Sequence, residues 1–370
     1  MKKTLVALAA LAAGGAFAQS TVTIFGAVDA SYNYATADLA PVVAGGASHN
    51  ETLQYMGTSQ LGSSKLGFQG REDLGGGLFA KFWLEAGLNN DSGAGKATNT
   101  NNGTGATATG GLTFQRRSYV GLVGNWGEVQ LGRQYVNTFL GVQAAVDPFG
   151  TNGPADSTQM MLALAGAGKS KTAVNASNMF GYITPDMSGF SANLQMFMGE
   201  QVSGTANPDD GGGYSITGQY AKGPFFGSIG QQNTKYKATG DYTLTAASLS
   251  YDFGMAKIVY TYADEKSAAA VAVPEAKNTS NLFGIIFPYG AFNFKGSYIT
   301  ATNNIQGGDK KGELFGVGVD YALSKRSILY ATYGSIKNHD GGSVYGAGVI
   351  GALAADGGTT NLAIGMYHAF

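Results

Sequence analysis

Residues 114–150 read FQRRSYVGLVGNWGEVQLGRQYVNTFLGVQAAVDPFG. From Phe114 to Val123 the residues alternate and carry the pair Arg116-Arg117; period two marks a strand with one face buried. Gly124-Asn125-Trp126-Gly127 turns the chain, and Glu128 to Tyr135 returns as a second strand. From Val136 to Thr172 regular patterning then stops. A structureless connection that long is uncommon inside a compact domain and is usually functional. A hairpin followed by a long irregular loop is therefore the frame into which the rest of the chain must fit.

The N-terminus differs in kind. Met1-Lys2-Lys3 is charged, Leu5 to Phe17 is apolar, and Ala16-Phe17-Ala18 closes the segment. Those three parts predict a secretory signal peptide over 1–18, cut after Ala18. Its removal takes Lys2 and Lys3 and moves the net charge from −1 to −3. So mild a balance argues against nucleic acid as a partner, which calls for a clustered basic face. With no cysteine in the chain, an exported protein of this size holds itself together without disulfides. No cofactor is implied.

Beyond the leader no apolar run reaches the length of a helical membrane span. Yet charged residues make up only 13 % of the chain, about half the share of a soluble domain. Glycine fills 58 of 370 positions and there are 20 Tyr and 20 Phe, a composition of strands. Period-two segments recur along the whole length. Thr21–Tyr34 sets Val22, Ile24, Val28, Ala30 and Tyr32 against polar neighbours; Lys65–Gly70 and Leu78–Leu88 follow around the glycine-rich turn Arg71–Gly77. The last segment, Thr360–Phe370, places Leu362, Ile364, Met366 and Phe370 in one register. The count is sixteen, with short turns and long polar loops in alternation. That is the pattern of an all-β, antiparallel transmembrane β-barrel. Hydrocarbon offers backbone groups no partners, so a sheet that crosses it must close. Tyrosines at strand ends, among them Tyr32, Tyr135, Tyr220, Tyr251 and Tyr321, suit the membrane interface.

Five stretches carry a resemblance: Val22–Ala30 (VTIFGAVDA), Ser64–Leu88 (SKLGFQGREDLGGGLFAKFWLEAGL), Arg116–Gln134 (RRSYVGLVGNWGEVQLGRQ), Asn178–Gly189 (NMFGYITPDMSG) and Gly365–Phe370 (GMYHAF). In this order and spacing the chain resembles the general diffusion porins of Gram-negative outer membranes, of the proteobacterial trimeric type. The resemblance spans the whole chain. It implies a sixteen-stranded barrel over 19–370 in the cell outer membrane, a water-filled channel for ions and small hydrophilic solutes, and assembly as a homotrimer. It implies that the long third outer loop, 136–172, folds into the lumen as the constriction, and that Phe370 is the signal read by the barrel assembly machinery. Outer-membrane lipid and lipopolysaccharide are the implied surroundings.

The resemblance also implies a pore whose basic wall opposes acids on the loop. Lys65, Arg116 and Arg133 match the basic positions; Asp147 and Asp156 are the loop acids, and Glu85 with Lys81 faces the lumen by parity. Alternation turns Lys65 away from Leu66 and Phe68. Arg116 facing lipid would cost about 2–4 kcal/mol, so one of the arginine pair is expected inside, and Arg117 is expected at a subunit contact. Strict alternation groups Arg133 with Val129 and Leu131 on the outer face, and a bulge at Gly132 is expected to re-aim it. Asp147 precedes Pro148 and reads equally as a turn former. Where the family commonly has another arginine this chain has Asn175, with Lys169 and Lys171 nearby.

Catalysis has little to stand on, since His49, His339 and His368 lie in loops or at the terminus and none is set beside a serine and an acid. No metal site is read from the acidic pairs. A barrel enzyme of lipase or protease type, a substrate-specific channel and a secreted soluble β-protein are the alternatives.

Overall fold

Alternation becomes a wall. In the computed structural model, which describes residues 21–43, 46–98, 101, 111–165, 172–205, 207–270, 274–346 and 351–370, every strand pairing is antiparallel and the sheet closes on itself. The leader and Lys169 and Lys171 lie outside the described residues. Among the described residues there are seventeen strand segments in one sheet. β1 (Thr21–Leu39) pairs with both β2 (His49–Thr58) and β3 (Lys65–Gly75) on the same side. β2 and β3 are thus two halves of one stave, interrupted over 59–64, and the barrel has sixteen positions.

The interruption has a cause. Asp29, buried on the inner side of β1, accepts hydrogen bonds from Leu61 N at 2.7 Å and Gly62 N at 2.8 Å, so the break is a turn held from within. β3 then runs to Gly75, past the expected end at Gly70. It meets β4 (Leu78–Gly87) through Gly75, Gly76 and Gly77, all at positive φ, where glycine alone carries no steric cost. β5 (Arg117–Gly124) and β6 (Gly127–Tyr135) form the quoted hairpin; Phe114–Arg116 precede the strand rather than opening it. β7 (Asn175–Ile183) follows the long loop, and β8 to β17 complete the wall, the last being Thr359–Ala369.

Several strands extend further outward than alternation suggests. β12 (Lys257–Ser267) and β13 (Ala276–Tyr289) carry polar residues on both faces at their outer ends, where the sheet stands above the membrane and neither face needs to be oily. Farther in, Val22, Ile216, Ile229, Phe283, Ile285, Val317 and Ile364 project from the outer surface. Aromatic rings pack together at the short-turn rim: Phe190 with Tyr220 at 4.3 Å, Tyr251 with Phe253 at 4.6 Å, and Phe292 with Tyr321 at 4.8 Å.

The loop after β6 folds into the barrel. Short helical turns at Thr138–Gln143, Ala144–Val146, Gly153–Ala155 and Thr158–Met161 give it shape. Its apolar side chains Phe139, Val142, Val146, Phe149, Met160 and Met161 form the main buried cluster with wall residues Leu244, Val259, Leu282, Ile299 and Leu314. Here the barrel's apolar core lies inside the lumen, between loop and wall.

Candidate functional site: the constriction

One line of register runs around the inner wall through Gln195, Ser215, Gln232, Leu244, Glu265 and Asn278, and the loop follows it. Gln195 accepts from Asn137 N at 2.8 Å and donates to Tyr135 O at 2.9 Å. The Ser215 and Thr138 hydroxyls meet at 2.8 Å. Gln232 Nε2 donates to Thr172 O at 2.7 Å. The buried Glu265 carboxylate accepts from Leu164 N at 3.2 Å, Tyr242 OH at 2.8 Å and Asn278 Nδ2 at 2.8 Å, and Asn278 also donates to Met160 O at 2.9 Å. Loop backbone groups that would otherwise be buried without partners are satisfied by wall side chains.

Glycines let the loop lie close. A Cβ at Gly284 would stand 2.6 Å from Pro148 Cγ, one at Gly318 2.9 Å from Phe149, and one at Gly334 would overlap the Pro154 carbonyl. These inward-facing wall positions have no room for a side chain.

Across the bore from the loop stands the charged wall. The Glu85 carboxylate, only 2 % exposed, accepts from Arg116 Nε at 2.5 Å and Trp83 Nε1 at 3.0 Å, with Lys65 Nζ at 3.7 Å. Glu85 thus faces the lumen but stands among the cations and braces them. It does not oppose them. Arg117 shares the inward parity of Tyr119. Its guanidinium carbon lies 4.8 Å from the Trp83 ring centroid and 5.2 Å from that of Tyr135. The expected subunit-contact position for Arg117 is corrected by this: Arg116, ahead of the strand, and Arg117, on it, both reach the bore. Asn175 Nδ2 donates to Arg116 O at 3.0 Å, so it fixes the arginine's backbone and adds no charge.

Two other expected residues are placed elsewhere. The irregularity at Gly132 forms, with φ at +134° and a register shift between Gly132 and Gln134. The extra residue is on β7, however, where Asn178 takes φ of +54°. Pairing with β5 is undisturbed, and Arg133 stays in the row Ile24, Phe68, Leu84, Ser118, which is the outward face. There it donates to Gln115 O at 2.5 Å and Ser177 Oγ at 2.6 Å, tying neighbouring strands together. Asp147 is buried inside the loop, accepting from Phe149 N at 2.8 Å and Thr151 N at 3.3 Å. Its carboxyl is pushed above the usual range by burial. The turn reading of Asp147 fits these bonds; a loop acid facing the bore does not.

Asp156 does border the bore. It accepts from Thr158 N at 2.8 Å and Thr158 Oγ1 at 2.9 Å, and with Lys65, Glu85, Arg116 and Arg117 it lines a cavity of about 730 Å³. Lys96 lines the same cavity. It belongs to the Gly/Asn/Thr-rich loop after β4, folded back so that Lys96 N donates to Gly87 O at 3.0 Å. Burial, then the Arg116 charge, hold its ammonium below the usual lysine range. No periodicity marks this residue; its being the single cation of a glycine-rich loop is the one available signal. At the seam, Phe370 N donates to Gly26 O at 3.0 Å and Gly26 N to Phe370 O at 3.1 Å.

The histidines are dispersed: His49 lies 3.6 Å from Glu51, His339 2.8 Å from Glu313, and His368 2.9 Å from Ser327 Oγ. Among the described residues no group of three or more acidic, histidine or cysteine side chains stands where it could hold a metal ion.

Comparison with known proteins gives a consistent picture. A profile of the Gram-negative porin family matches residues 4–341. Outer membrane porin protein 32 of Delftia acidovorans is 34 % identical, with 100 % of both chains covered; an outer membrane porin of Bordetella pertussis is 30 % identical over the same full coverage. Among solved structures, the anion-selective porin from Comamonas acidovorans superposes with a TM-score of 0.77 and 29 % identity, covering 95 % of this chain and 100 % of its own.

Proposed function

The chain belongs to the Gram-negative porins and is an outer-membrane channel for passive diffusion of solutes, and from that premise we propose that its constriction favours small anions over cations. The observation that carries this is the charge around the narrowing. Lys65, Lys96, Arg116 and Arg117 border one cavity whose acidic lining, among the described residues, is Glu85 and Asp156, and Glu85 is already engaged by Arg116 and Lys65. Rings of charged side chains are how pores select ions. The similar Comamonas acidovorans channel is described as anion-selective, which supports the same reading here.

The test is the reversal potential in planar bilayers under a KCl gradient. It should fall on the anion side. The double substitution Arg116→Gln, Arg117→Gln should move it markedly toward cations, while Arg133→Gln and Arg71→Gln leave it in place. Cation preference in the unaltered protein, or equal shifts from all these changes, overturns the proposal.

Four further expectations rest on the family. Residues 1–18 act as an export leader, so the exported chain begins at Gln19; a longer N-terminus by sequencing refutes this. The barrel assembles as a homotrimer, to be read by cross-linking in detergent. Lys266, Lys277 and Lys311, exposed on the outer ends of their strands, face lipopolysaccharide phosphates, and Phe370 at the seam is the residue that the assembly machinery reads.

A further inference from the structure

The cavity at the narrowing is two-sided, and its second side is apolar. On the loop, Phe139, Leu140 and Ala144 border the same space as the arginines, with Val174 beside them. Leu140 remains 36 % exposed, although the other large apolar residues of this loop, from Phe139 to Met161, are buried against the wall. Its helical turn, Thr138–Gln143, is pinned from behind by Ser228 Oγ donating to Gly141 O and Ser248 Oγ donating to Val142 O, both at 2.8 Å. The wall therefore fixes the turn with Leu140 left open to the bore. On the other side aromatic faces support the cations: Arg116 lies 5.5 Å and Arg117 5.2 Å from the Tyr135 ring centroid, and Tyr135 stacks on Phe139 at 6.2 Å.

A hydrated inorganic ion needs only the charged half. We propose that the narrowing is a binding subsite for amphipathic organic monoanions, such as aromatic carboxylates. The carboxylate meets the Arg116 and Arg117 guanidiniums while the ring covers Leu140 and Ala144. Guanidinium forks match carboxylate geometry, and a planar ring adds apolar burial that acetate lacks. The proposal rests on the anion-favouring reading above and adds to it a ligand class and the residue that sets it.

The experiment measures block of the chloride current by added benzoate and by acetate, in the full-length barrel reconstituted in planar bilayers. Benzoate should block at roughly tenfold lower concentration, the factor that about 1.4 kcal/mol of apolar burial supplies. Leu140→Ser should bring benzoate close to acetate, and Ala144→Leu, which enlarges the apolar side, should widen the gap. Equal block by the two acids in the unaltered channel overturns the proposal, as does a benzoate-to-acetate ratio that neither substitution changes. If that happens while the KCl reversal potential stays on the anion side, the amphipathic subsite alone is lost. A reversal potential on the cation side removes the charge reading beneath it.

Discussion

Lys96 shows how charge at the narrowing should respond to pH. Its ammonium is held below the usual lysine range by burial and by Arg116, so it loses its proton at a lower pH than a free lysine. Its contribution to anion preference is complete below that point and disappears as pH rises through it. The reversal potential should therefore drift toward zero on the alkaline side, and Lys96→Gln should lessen that drift; an unchanged drift in the variant would assign it to another group. At this scale the sequence was legible where a single parity decided the outcome. Lys65 and Glu85 face inward because regular strands put them there. Arg117 departs from its expected place because the irregular backbone over 113–116 changes which alternation applies, whereas Arg133 keeps the outward parity of its strand because the extra residue lies on β7 and does not re-aim it. Asp147 was open between two roles because an Asp-Pro pair looks the same whether its carboxylate caps its own turn or faces a channel.

The inward loop stays in place through specific bonds and specific vacancies. Glu265 holds Leu164 N and, with Asn278, ties the loop to β12 and β13. Glu265→Ala should leave Leu164 N without this acceptor and take one of its two acceptors from Asn278 Nδ2, at a cost of about 1–3 kcal/mol for a group so stranded. The measurable result is faster proteolysis around Met160–Ala165 and a noisier open-channel current; an equally protected segment would show the anchor to be dispensable. Gly334→Ala tests the opposite feature. Its new methyl meets the Pro154 carbonyl and pushes the loop into the bore, so unit conductance should fall and thermal stability should drop by about 1–3 kcal/mol. That the loop exists, and where it starts, is plain from the loss of patterning after Tyr135. Its route along the wall could not be read, because the glycines and polar residues that receive it lie far away in the chain, from Gln195 to Gly334, and look like ordinary strand residues.

For the molecule as a whole, two adjacent residues on β9 (Gly213–Lys222) separate the two solvents. Ile216 is 52 % exposed on the outer surface while Thr217 faces inward and accepts from Asn137 Nδ2 at 2.5 Å. Ile216→Arg should cost about 2–4 kcal/mol in the membrane and lower the yield of folded barrel in lipid vesicles. Thr217→Arg should fold and act instead on conductance. Equal folding yields for the two would contradict the inside-outside assignment. The architecture was the most legible level, since a sixteen-fold repetition of period two, with turns and loops in alternation, tolerates errors of several residues at each strand end. The broken stave of β2 and β3 was not legible, because it depends on Asp29 reaching across to Leu61 and Gly62.

The seam between Ala27–Ala37 and Thr359–Ala369 carries a temporal consequence. One half lies early in the chain and the other late, so the ring cannot close until Thr359–Ala369 has been made and exported. Until then the growing sheet has raw borders at both sides, each a template for stray pairing. Safe passage of such a chain to its destination depends on keeping those borders apart until the closing strand arrives.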